Sequence, residues 1–113
     1  VAVRPSAELA LDPGLVDVGR QLVAAFGEKN AFELVGGTRL SLAVGDTGSV
    51  PVGDGLLYEV KLTGQERGRV WLDLVLKEGG AVQSRMGVEL GSRPFFASTR
   101  ARSGLRVVVF DRR

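Results

Sequence analysis

The chemistry open to this chain is narrow, because its 113 residues include neither histidine nor cysteine. Thiol nucleophiles, disulfides, thiolate metal sites and imidazole bases are all absent. Carboxylates, lysines, arginines, hydroxyls and Tyr58 remain. The sharpest spacing among them is Asp46-Thr47-Gly48-Ser49. An Asp in such a turn becomes a general acid or base when a second carboxylate shares its proton. One copy is present, so a catalytic pair would need two chains. Asp, Thr, Gly and Ser are also turn formers in their own right. Gly45, another turn former, precedes the string. The turn is the preferred reading.

Asp46, Thr47 and Gly48 resemble the active-site signature of aspartic proteases. That resemblance implies a retropepsin-like dimer with Asp46 as the catalytic carboxylate, and it stands as the enzymatic alternative. No cofactor and no metal site is expected.

Charge supplies a second candidate. Net charge is +2. Residues 1–57 carry four basic and seven acidic side chains, and residues 58–113 carry eleven and six. Arg93, Arg100, Arg102, Arg106, Arg112 and Arg113 crowd the end, with Phe95, Phe96 and Phe110 between them. Arginine interleaved with aromatics suits single-stranded nucleic acid. Phenylalanines in the core and a solvated arginine line explain the same residues. Sixteen glycines are present, but none has phosphate-loop or dinucleotide spacing, so they read as turn glycines. A third candidate is the outward face of Leu57, Trp71 and Val75. It is either a protein-docking patch or a face covered by a helix.

These residues need a frame. Asp12-Pro13 is a helix start, with Asp12 as N-cap and Pro13 in the first turn. Leu15, Val18, Leu22 and Phe26 share one face and Gly27 ends it, which predicts one helix over about 13–26. From Phe32 the period falls to two. Strands are predicted at 32–35, 38–44, 56–62, 69–77 and 82–90, with Phe95-Phe96 opening a short strand or corner. The apolar run 105–110 predicts a last strand that is central or covered. Residues 45–55 read as turns, with Asp54-Gly55 the tight one. Val82, Ser84, Met86, Val88 and Leu90 are expected on one face. The fold class expected is mainly β: an antiparallel sandwich or open barrel of about six to eight strands, in a single domain over 1–113.

The helix opening Asp12-Pro13-Gly14-Leu15 and the closing Arg93-Pro94-Phe95-Phe96 resemble small exported bacterial β-domains. Tyr58, the strand Val70 to Leu76 and Gly91 are similar to the strand pattern of β-domains associated with bacterial secretion pores. The resemblance implies a periplasmic or cell-envelope location, with the cytoplasm as the alternative; a start at Val1 rather than Met fits a processed chain or a trimmed one. No 18-residue apolar run is present to span a membrane. The leading expectation is a non-catalytic protein-interaction or structural domain with a protein partner. Trp71, Val75, Arg93, Phe95, Phe96, Arg100 and Arg102 are its candidate contacts, and homo-oligomerisation is open. Nucleic-acid binding through the arginine-rich third is the remaining alternative.

Overall fold

A computed structural model describes residues 1–6, 9–11, 13–27 and 29–112, with the side chain of Val16 left out. Asp12, the expected N-cap, lies outside the described residues. The described residues are mainly β, with one helical segment and two open, largely antiparallel sheets. The described residues form two compact units, Val1–Gly37 with Ser98–Val107, and Thr38–Ala97 with Val108–Arg113.

The first unit opens with β1 (Ala2–Pro5) and the two-residue β2 (Ala10–Leu11). Pro13–Val18 is a 3-10 turn that runs into α1 (Gly19–Phe26). The predicted helix is thus present over its whole length, tightened in its first half. Leu15 and Leu22 are buried. Gly27 closes α1 with φ 92°, its N–H donating to the Val23 carbonyl at 2.8 Å. A left-handed residue there favours glycine. Gly19 lets Leu11 lie close: a Cβ would stand 2.7 Å from a Leu11 methyl, which would have to shift. The strand β3 (Asn30–Glu33) follows, antiparallel to β1 and parallel to β2. Phe32 is buried, and its ring lies 6.5 Å from that of Phe26.

β8 (Phe95–Ala101) and β9 (Gly104–Phe110) complete the five-stranded sheet, ordered β2-β3-β1-β9-β8. The apolar run 105–110 is therefore a central strand, as its composition requires. Residues 98–107 of this pair belong to the first unit and the rest to the second.

The second unit holds β4 (Thr47–Gly53), β5 (Leu56–Glu66), β6 (Arg69–Glu78) and β7 (Ala81–Leu90), an antiparallel meander in that order. Asp54 and Gly55, with φ 55° and 80°, form the two-residue connection between β4 and β5. Paired positive φ is the hairpin geometry whose twist matches the strands. The inner face of β5 and β6 is continuous: Tyr58, Val60, Leu62, Leu72, Leu74 and Leu76 are buried. Tyr58 meets Phe110 edge-on at 5.5 Å, and Phe95 lies 6.5 Å from Phe110.

The described strands number nine, the two-residue β2 included, in keeping with the mainly β fold expected. Three expectations are corrected. Residues 38–44 form no strand, although Leu40, Leu42 and Val44 alternate; Leu40 instead lies across Gly48, where a Cβ would be 3.0 Å away. The stretch read as turns contains β4, because the Asp54-Gly55 hairpin folds 47–53 against β5 whatever their composition. Finally, Val82 leaves the inner face. A bulge sets Ser84 opposite Leu76 but Val82 opposite Lys77, which flips its side, and Val82 is 53% exposed.

Candidate functional site

The outer face of the four-stranded sheet is built by strand register. Thr47 stands opposite Lys61, which stands opposite Asp73. Ser49, Glu59, Val75 and Arg85 form the next row, and Pro51, Leu57, Lys77 and Val82 the one after. Thr47, Glu59, Lys61, Asp73, Val75 and Arg85 line an open groove of about 200 Å³. Leu57, Trp71 and Val75 are half-buried. The face that sequence alone left either docking or covered is therefore partly open.

Two features hold Trp71. A bulge in β5 places Gly64 opposite it, and a Cβ at Gly64 would be 3.2 Å from the indole. The bulged residue Thr63 donates its hydroxyl to the Trp71 carbonyl at 3.1 Å. The ring thus lies where a larger residue at 64 would displace it.

Charge on this face is balanced. Lys61, Arg69, Lys77 and Arg85 oppose Glu59, Glu66, Asp73 and Glu89. Lys77 Nζ donates to Glu59 Oε1 at 2.7 Å, with both side chains about one third exposed. Arg69 and Glu89 pair at 3.3 Å in solvent. Such pairs each contribute about 0–1 kcal/mol, so they order the face more than they stabilise it. A face without net charge has no counterion-driven pull on a polyanion.

Asp46 is exposed, in the turn before β4. Its Oδ2 accepts from the Ala43 N–H at 3.0 Å, and its own N–H donates to the Ala43 carbonyl at 2.9 Å. The Gly45 N–H donates to the Leu62 carbonyl, and the Leu62 N–H to the Asp46 carbonyl. The carboxylate is used locally as a turn lock, and the turn is pinned to β5. Thr47 is exposed and Gly48 half-buried in β4. Among the described residues, no three acidic side chains gather as a metal site would require.

The remaining candidates divide between the units. Arg93 is exposed in the bend before β8, and Phe95 and Phe96 are half-buried in the second unit. Phe95 packs toward the buried Phe110, so neither ring is a free stacking platform. Arg100 and Arg102 are exposed in the first unit. Arg106 is half-buried there and donates from Nη2 to Ser103 Oγ at 2.8 Å. Arg112 donates to the Gly91 carbonyl at 3.4 Å. Two members of the arginine line, Arg106 and Arg112, are thus engaged locally, and Arg113 lies outside the described residues.

The groove residues Glu59, Lys61, Asp73 and Arg85 escaped sequence reasoning as a set. Each was legible as outward-facing, but only the register of four strands brings them into two adjacent rows. Among the described residues, no helix is long and apolar enough to cross a membrane. Comparison with protein-family models, curated proteins and solved structures finds no match for this chain.

Proposed function

We propose that this chain is a non-catalytic protein-interaction domain that docks a protein partner on the outer face of its four-stranded sheet. The observation that carries this reading is one sheet face on which Leu57, Trp71 and Val75 are half-exposed, and on which Val75 lines an open groove with the balanced charges Glu59, Lys61, Asp73 and Arg85. A tryptophan held in place is the kind of anchor that dominates protein interfaces. Balanced charges supply register and specificity more than bulk attraction. The bacterial cell envelope or a secretion-type assembly is the proposed setting, supported by the resemblance of Tyr58, Val70 to Leu76 and Gly91 to secretion-pore β-domains.

Affinity capture from native extract, comparing the native chain with Val75→Arg, tests the proposal. A discrete protein partner lost in Val75→Arg, with circular dichroism unchanged, is expected. Recovery of no partner, together with intrinsic hydrolysis that disappears in Asp46→Asn, would sink it. Salt-dependent nucleic-acid binding that weakens when Arg100 and Arg102 become Ala would equally replace it.

A further inference from the structure

The four-stranded sheet has two edges, and they are treated differently. β4 carries Pro51, which has no N–H to offer, and a bulge at Val52. Both devices blunt an edge against pairing with another strand. β7 has its bulge near its start, at Gln83, and from Ser84 to Leu90 it runs regular, unbroken and free of proline and lysine. Its side chains from Ala81 to Arg85 are exposed, as are Gly87 and Glu89. An open edge of this kind is a template for another strand.

The charges on β7 select which strand. In an antiparallel pair related by a two-fold axis, residues on the same face oppose each other and their numbers have a constant sum. Centring the axis on Gly87, the midpoint of Ser84–Leu90, sets Arg85 opposite Glu89 of a second copy and Glu89 opposite its Arg85. Met86 then meets Val88 on the inner face, and Val88 meets Met86. Both are half-buried in one chain, Val88 extending the row of the buried Leu72 and Met86 that of the buried Leu74. Neighbouring registers fail. Centring on residue 85 or 89 sets like charges face to face, and centring on 86 or 88 leaves both charges without an opposite. Among the described residues, Arg85 has no ion-pair partner of its own, and Glu89 shares only the exposed contact with Arg69.

We infer that β7 is a homodimerisation strand, pairing antiparallel with β7 of a second copy about Gly87 to make one continuous eight-stranded sheet. The occupant is this chain itself, because the edge is self-complementary in charge and in apolar contact. The inference concerns the edge and stands apart from docking on the outer face.

Two readouts on the full chain test it. The native sequence lacks cysteine, so Gly87→Cys introduces a single thiol. A Cβ at 87 meets nothing within 4 Å, so the side chain fits. Residues opposed across an antiparallel pair lie about 4.5–5.5 Å apart at Cα, within disulfide reach. Gly87→Cys is expected to oxidise to a covalent dimer, whereas Gln83→Cys, four residues from the axis, remains a thiol. Sedimentation then reads the charges. Arg85→Glu places two like-charge pairs across the axis and is expected to weaken association by roughly tenfold or more. The double variant Arg85→Glu with Glu89→Arg restores it, which a folding defect would not allow. A native chain that stays monomeric at the highest soluble concentration, or a Gly87→Cys chain that does not cross-link, overturns the inference. So does association indifferent to Arg85→Glu. Leu57 stands opposite Pro51 and Lys77, off the β7 edge, so Leu57→Arg is expected to lose partner capture and keep the dimer, which leaves the two losses separable.

Discussion

Leu74 and Val75 are neighbours on β6 that face opposite sides of the sheet, and truncating each reads whether the outer face is free. Leu74 is fully buried, opposite Val60 on one side and Met86 on the other. Leu74→Ala removes three carbons, worth about 2.4 kcal/mol at ~0.8 kcal/mol per buried methylene. The strands on both sides hold their positions, so a cavity term adds to this, giving ~3 kcal/mol or more within the usual 2–5 kcal/mol range. Val75→Ala removes two carbons from a half-exposed site, which halves a transfer term of about 1.6 kcal/mol to roughly 0.8 kcal/mol. Trp71 is the only tryptophan and follows urea unfolding directly. With m about 1.5 kcal/mol per molar, Leu74→Ala lowers the midpoint by roughly 2 M and Val75→Ala by roughly 0.5 M. Equal losses would refute the assignment of faces, because Val75 would then be packed as tightly as Leu74.

Burial raises the Tyr58 hydroxyl above its ordinary value. The unfolded chain therefore ionises first, and stability present below about pH 10 falls as pH rises from there through the folded-state value. Tyr58→Phe removes that slope in urea titrations run at successive pH values; a slope that persists would assign it elsewhere. Asp46→Ala removes the hydrogen bond to the Ala43 amide and lowers stability by about 1 kcal/mol, measured by urea midpoint. Gly55, at φ 80°, sits in the left-handed half of the hairpin, so Gly55→Ala costs about 1–2 kcal/mol by the same measurement. Loss of Asp46 or Gly55 without penalty would show that the turns do not depend on them.

Strands with strong alternation were legible because burial on one face leaves a two-residue period, as in Leu56 to Leu62 and Val70 to Leu76. The helix was legible from Leu15, Leu22 and Gly27, although the 3-10 geometry of its first half was not. β4 was hidden. Its Gly48, Ser49 and Pro51 are poor strand formers, and it exists as an edge because β5 needs a partner and Asp54-Gly55 supplies the turn. Residues 38–44 show the reverse: their alternation is real, but Leu40 is satisfied by lying over Gly48 without strand pairing. Bulges were equally invisible. One at Thr63 sets Gly64 against Trp71, and one at Gln83 turns Val82 outward. The outer-face groove depends on the register between those bulges. Trp71 and Val75 could be picked out one by one, but the row of Glu59, Val75 and Arg85 could not.

The most direct test of outer-face docking is a photo-reactive amino acid placed at position 75 in the otherwise native chain, with one at the exposed helix position 20 as control. Irradiation in native extract should give a discrete protein adduct from position 75 and none from position 20. The adduct should disappear when Trp71 is also changed to Ala. No adduct from position 75, or the same adducts from both positions, would contradict a docking role for this face.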